Sequence, residues 1–121
     1  MSQTTHEIGR QGENLAADFI LKLGWIILER NYRHDHCEVD IIAQDGDEVV
    51  FVEVKLRRSN RYGWPEEAVT KQKISHLKKA MFHYRETHAG RYYLRLDVIS
   101  IEQNNQLAKP RFTHLKNFNC N

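Results

Sequence analysis

Residues 38–55, EVDIIAQDGDEVVFVEVK, constrain the chain more than any other stretch. Two runs rich in Val, Ile and Phe flank Asp45-Gly46, a strong turn signal, so 38–44 and 48–56 are expected to pair as a β-hairpin. Away from the turn, charge interrupts the apolar pattern only at Glu38, Asp40, Glu53 and Lys55. Side chains two apart on a strand share a face, which projects Glu38 with Asp40 and Glu53 with Lys55. Folded back, the hairpin gathers up to three carboxylates and one ammonium at one end of a sheet. Burying that many charges without a counter-ion is costly. A divalent cation bound by oxygen ligands removes the penalty.

The flanking segments supply helices and further strands. Ile8, Leu15, Ala16, Phe19, Ile20 and Leu23 recur at helical spacing over 5–23, with Thr4 and Glu7 as a capping box. Gly9 and Gly12 each weaken that helix by roughly 1 kcal/mol, so their use is close approach of the backbone to another element or to a substrate. Glu13 is either an exposed helix carboxylate or a third acid for the hairpin site. Gly24 fits a C-cap, and 25–32 reads as a strand. Residues 48–56 are apolar on both faces, as in a central strand covered on both sides. Its charged pair comes at the C-terminal end, where α/β sheets commonly place their chemistry.

In the loop that follows, Arg57, Arg58 and Arg61 alternate with Tyr62 and Trp64, a mixture suited to phosphate contact and base stacking. The alternative is a surface loop whose aromatics pack on the core. A helix is expected from near Pro65, recapped at Thr70 and running to about Thr87. Val69, Ile74, Leu77, Ala80, Met81 and Tyr84 form its buried stripe, with Lys71, Lys73, Lys78 and Lys79 on other faces. Strands at 92–102 and 111–115 complete the order α-β-β-β-α-β-β. The expectation is one α/β domain over 1–121, a mixed sheet flanked by helices.

No apolar run approaches a membrane span and the N-terminus lacks a signal-peptide core, so no membrane partner and a cytoplasmic location are expected. Cys37 and Cys120 make no disulfide framework, and both are expected to be reduced. His34, His36, Cys37 and Cys120 have zinc-ligand chemistry without zinc-ligand spacing; solvated loop residues are the preferred reading. The net charge of +2 is small, but it is unevenly spread. Residues 1–54 carry 4 Lys/Arg against 11 Asp/Glu, whereas 55–79 carry 8 against 2. An acidic cluster followed by a basic one suits a metal site beside a phosphate track, or simply a solvated basic helix.

Asp40 followed by Glu53-Val54-Lys55 matches the spacing of the PD-(D/E)xK nucleases. More of the chain resembles the small bacterial YraN-like proteins: GRQGE at 9–13, RNYR at 30–33, EVD at 38–40, FVEVKLR at 51–57, GWP at 63–65 and RLDV at 95–98. That resemblance implies a restriction-endonuclease-like fold, similar in arrangement to archaeal Holliday-junction resolvases. It implies a metal-dependent endonuclease acting on DNA, including branched or damaged DNA, and a homodimer. Asp40 and Glu53 would bind Mg²⁺ or Mn²⁺ with the Val54 carbonyl, and Glu13 would complete the site. Lys55 would orient or deprotonate the attacking water or stabilise charge on the phosphate. Arg57, Arg58, Arg61, Lys71, Gln72 and Lys73 would contact the nucleic acid, while Glu38 is left as an exposed charge or a partner for Arg33. Where the family pattern has Gly, this chain has Cys37, which points to an unusual backbone angle there. Two other classes fit the sequence: a non-catalytic nucleic-acid-binding module, and a structural subunit whose charges are surface ion pairs.

Overall fold

The computed structural model describes residues 5–58, 69–88, 90 and 93–118. Thr4, Arg61, Tyr62, the GWP segment at 63–65 and Cys120, all singled out above, lie outside the described residues. The elements are α1 (Thr5–Lys22), β1 (Ile26–His34), β2 (Cys37–Asp45), β3 (Glu48–Arg57), α2 (Lys71–Thr87), β4 (Tyr93–Glu102) and β5 (Arg111–Leu115). The expected order α-β-β-β-α-β-β is therefore the observed one, and the fold is mixed α/β.

One five-stranded sheet runs β1-β2-β3-β4-β5. Every pairing is antiparallel except β3 with β4, which are parallel and joined through α2. Strand β3 is central, and its two apolar faces have separate covers. Val50 and Val52 pack with Ala16, Ala17 and Ile20 of α1. Val49 and Phe51 pack with Ile74, Leu77, Ala80 and Tyr84 of α2. The hairpin turn closes at the Asp45–Glu48 pair, and Gly46 at φ 63° takes a left-handed conformation that disfavours a side chain. Helix α2 begins where the sequence suggested recapping: the Thr70 hydroxyl accepts from the Lys73 N–H at 3.1 Å.

The helix stripe on α1 is narrower than its apolar content. Leu21 and Leu23 are exposed, while the small residues Ala16 and Ala17 are buried. Small residues let the helix sit close to the sheet, and Gly12 extends that approach. A Cβ at Gly12 would lie 3.0 Å from the Leu56 Cβ, whereas one at Gly9 would meet nothing within 4 Å. Gly9→Ala is therefore expected to stabilise by about 0.5–1 kcal/mol through helix propensity. Gly12→Ala overpacks the α1–β3 contact and is expected to destabilise by about 1 kcal/mol. Thermal unfolding of the two variants checks this, and equal upward shifts would refute the close approach.

Cys37 is buried and is not among the residues with positive φ; Asp35, two positions earlier, takes the left-handed conformation at φ 56°. The angle expected at Cys37 is thus carried by an Asp, a residue that tolerates it. Nor is the HDHC segment simply a solvated loop. His34 stacks on His83 of α2, with ring centroids 3.6 Å apart, and only Asp35 and His36 are well exposed.

Candidate active site

A change of face in the sheet sets the position of Asp40. Val39 packs on the α2 side, yet Ile41, two residues on, packs on the α1 side. Positions two apart share a face in a regular strand, so β2 rotates at Asp40. Strand β1 turns with it. Arg30 reaches α1, Tyr32 packs against α2, and Asn31 between them has φ 55°. Regular pairing of β2 with β3 stops at Ile41–Val52. Beyond it, the Asp40 carboxylate takes over as acceptor, receiving the Val54 N–H at 2.8 Å. A residue's N–H and C=O point to the same side of an extended strand, so the Val54 carbonyl also faces β2 and Asp40.

Glu53 lies beside this junction, on the α2 face, and is 2% exposed. Its Oε1 is 3.5 Å from the Lys55 ammonium and 3.7 Å from that of Lys73, which descends from the first turn of α2. Its Oε2 is buried and has no hydrogen-bond partner among the described residues. Burial, and then the neighbouring Asp40 charge, push the Glu53 carboxyl up to about 7, against the pull of Lys73 and Lys55. Asp40 is also raised. Burial is the main cause, with Glu13 and Glu38 adding to it and the Val54 N–H and Lys73 opposing. Two adjacent carboxyls are therefore short of positive charge despite two nearby lysines.

Two further acids lie near the site, each paired with an arginine. Glu13 is buried, but its Oε1 accepts from Arg30 Nε at 2.8 Å and Asn31 Nδ2 at 3.2 Å. Glu38 pairs with Arg33 at 3.4 Å, as the sequence suggested. Among the described residues no three His, Cys, Asp or Glu side chains form a metal-binding group. Asp40 and Glu53 are thus the two adjacent carboxyls, while Glu13 and Glu38, near enough to raise Asp40, are each paired with an arginine. Lys71, Gln72 and Arg58 are exposed, and Arg57 is half-buried. Lys73, assigned above to phosphate contact, points instead at Glu53.

The sequence reading did not anticipate a buried charge cluster on β4. Arg95 donates through Nε and Nη2 to both oxygens of Asp97, at 2.9 and 3.0 Å. Its Nη1 reaches Asp45 at 3.1 Å and Glu48 at 2.9 Å, and its guanidinium lies over Trp25. His114 and the Asn117 N–H complete Asp97 at 2.7 and 2.9 Å. The available signal was a pair of opposite charges at i and i+2 within an otherwise apolar strand.

Comparison with known sequences places these residues in a family. The model described as "Uncharacterised protein family UPF0102" matches residues 12–101, a span that holds Glu13, Asp40, Glu53, Lys55, Lys73, Arg95 and Asp97. A UPF0102 protein of Syntrophomonas wolfei is 43% identical over 113 residues, covering 92% of this chain and 96% of its own. One from Dictyoglomus thermophilum is 47% identical over 96 residues, covering 78% and 81%. One from Thermodesulfovibrio yellowstonii is 44% identical over 95 residues, covering 78% and 85%. The chain belongs to the UPF0102 family.

Proposed function

We propose that the protein is a metal-dependent endonuclease that hydrolyses phosphodiester bonds of DNA, branched or damaged DNA included. The observation that carries this reading is the buried Glu53 Oε2 beside Asp40, unpartnered among the described residues. A carboxylate in that position is stabilised by a cation. Asp40, Glu53 and the Val54 carbonyl are hard oxygen donors suited to Mg²⁺ or Mn²⁺, with water completing the shell. Such an ion supplies polarisation of a phosphate and a bound water of lowered pKa. The chain's own part is to bind and orient. Asp40 is fixed by the Val54 N–H, and Glu53 by burial. The ammonium of Lys55, about one-third exposed, can donate to a phosphate oxygen entering from solvent. Lys73 adds a second positive charge from α2. The exposed Arg58, Lys71 and Gln72 lie on segments adjoining the site and suit contacts to a nucleic-acid backbone.

The lysines already near Glu53 favour a second reading, a nucleic-acid-binding module without catalysis. Calorimetric titration of Mn²⁺ into wild type and Asp40→Asn separates the two without a guessed substrate. Asn keeps a side-chain oxygen to accept the Val54 N–H, so the variant loses charge while retaining that bond. Saturable binding to wild type that is lost in Asp40→Asn is the expected result. Absence of binding, both alone and with DNA present, would refute the metal site and leave the binding module.

A further inference from the structure

A groove of about 750 Å³ runs between α2 and the turn joining β1 to β2. We propose that it holds an unpaired nucleotide of the nucleic acid cut at Asp40 and Glu53, which makes the preferred substrate one with single-stranded character. This inference rests on the nuclease reading above. Its volume is within the usual range for sites that enclose a small organic group.

The groove offers flat aromatic surface and positive charge together. Phe82, on its α2 wall, is 63% exposed, although a large aromatic side chain is costly to leave in water. The next residue of α2, His83, also lines the groove and stacks in parallel on His34 of β1, held by the Tyr32 hydroxyl 2.6 Å from His83 Nδ1. Ring faces of this kind stack on nucleobases whatever the sequence. Lys71, Lys78 and Lys79 line the same groove, against the carboxylates of Asp35 and Glu86. The surplus is therefore cationic, as a phosphate-linked base requires.

The groove and the site share two elements, β2 and α2. Cys37 lines the groove and Asp40 follows on the same strand, three residues or roughly 10 Å away. That distance is about three nucleotide steps at the 3.4 Å rise of a stacked duplex strand and fewer for an extended unpaired one. Helix α2 spans both places, sending Lys73 to Glu53 and Lys71 to the groove within one turn. A backbone crossing the carboxylates can thus deliver a nearby base to Phe82, provided the base is not paired. A base-paired nucleotide has its ring faces covered by its neighbours in the stack.

The test is fluorescence anisotropy with labelled oligothymidylate and with a fully paired duplex of the same length, in EDTA so that no cleavage intervenes. Phe82→Ala is expected to weaken oligothymidylate binding roughly 5- to 150-fold while changing duplex binding less than about twofold. Phe82→Trp is expected to restore it, which a mere surface perturbation would not. Unchanged oligothymidylate binding in Phe82→Ala, with wild type binding both probes, overturns the groove and leaves the nuclease reading standing. Equal losses on both probes overturn it too. If wild type binds neither probe, with or without Mn²⁺, the nuclease reading fails and this inference with it. Conversion of a wild-type dimer to a monomer by Phe82→Ala would instead assign the groove to self-association.

Discussion

Arg95→Met lowers the unfolding free energy by about 3–5 kcal/mol, which for a domain of this size moves the thermal midpoint down by roughly 12–20 °C. Methionine replaces the aliphatic stem of the side chain but none of its donors. Four hydrogen bonds to Asp97, Asp45 and Glu48 disappear together. Asp97 is fully buried, so the variant strands a carboxylate with only His114 and the Asn117 N–H for partners. Two of the lost bonds also tie the β2–β3 turn to the parallel strand β4. The pH dependence identifies the cause. Burial alone would raise the Asp97 pKa, but hydrogen bonds from His114, Arg95 and Asn117, and the Arg95 charge, hold it below the ordinary carboxylate value of 3.8. A folded pKa below the unfolded one means stability that is complete above the unfolded value and declines as pH falls through the folded one. Losing Arg95 removes much of that contribution. The gap between wild type and variant is then widest near neutrality and narrows toward about pH 3. Urea unfolding at both pH values checks it; a constant gap would mean that packing alone was lost.

The same cluster shows where the sequence was informative. Periodicity and turn residues gave the order of elements, the central position of β3 and the α2 stripe, because burial on a regular strand or helix follows spacing. Thr70 and Asp45-Gly46 were readable because caps and turns are local chemistry. Asp40 was legible as a residue but not in its geometry. Alternation assumes a regular strand, and the face change opposite Asn31 breaks it. Lys73 reads as one of several helix lysines until the tertiary packing of α2 sets it 3.7 Å from Glu53. Arg95 and Asp97 illustrate the same limit. Their partners come from a turn fifty residues earlier and a strand seventeen residues later, and no local pattern contains such pairs.

Glu53→Gln is expected to impair function and improve stability in one substitution. The wild-type carboxyl has a folded pKa of about 7 against an ordinary value of 4.5. The folded state therefore binds the proton more tightly than the unfolded state, and stability falls as pH rises from about 4.5 through 7. Glutamine does not ionise and escapes that loss. The full shift corresponds to about 3 kcal/mol, and the forfeited ion pairs with Lys55 and Lys73 reduce the gain. Metal-free Glu53→Gln should thus be more stable than wild type by about 1–3 kcal/mol near pH 8, with the difference vanishing below about pH 4.5. Saturating Mn²⁺ should stabilise wild type and leave the variant unmoved, while DNA cleavage by the variant falls at least about a thousandfold. Lys55→Ala, which removes a side chain about one-third exposed, should lose about a hundredfold or more in cleavage with the fold intact. These expectations oppose those of a protein whose charges merely pair for stability. There, Glu53→Gln would deprive two lysines of their shared partner and would lower the melting temperature at pH 8. A thermal melt of the two metal-free proteins decides between them: a carboxylate kept against the stability of its own fold is one retained for what it binds.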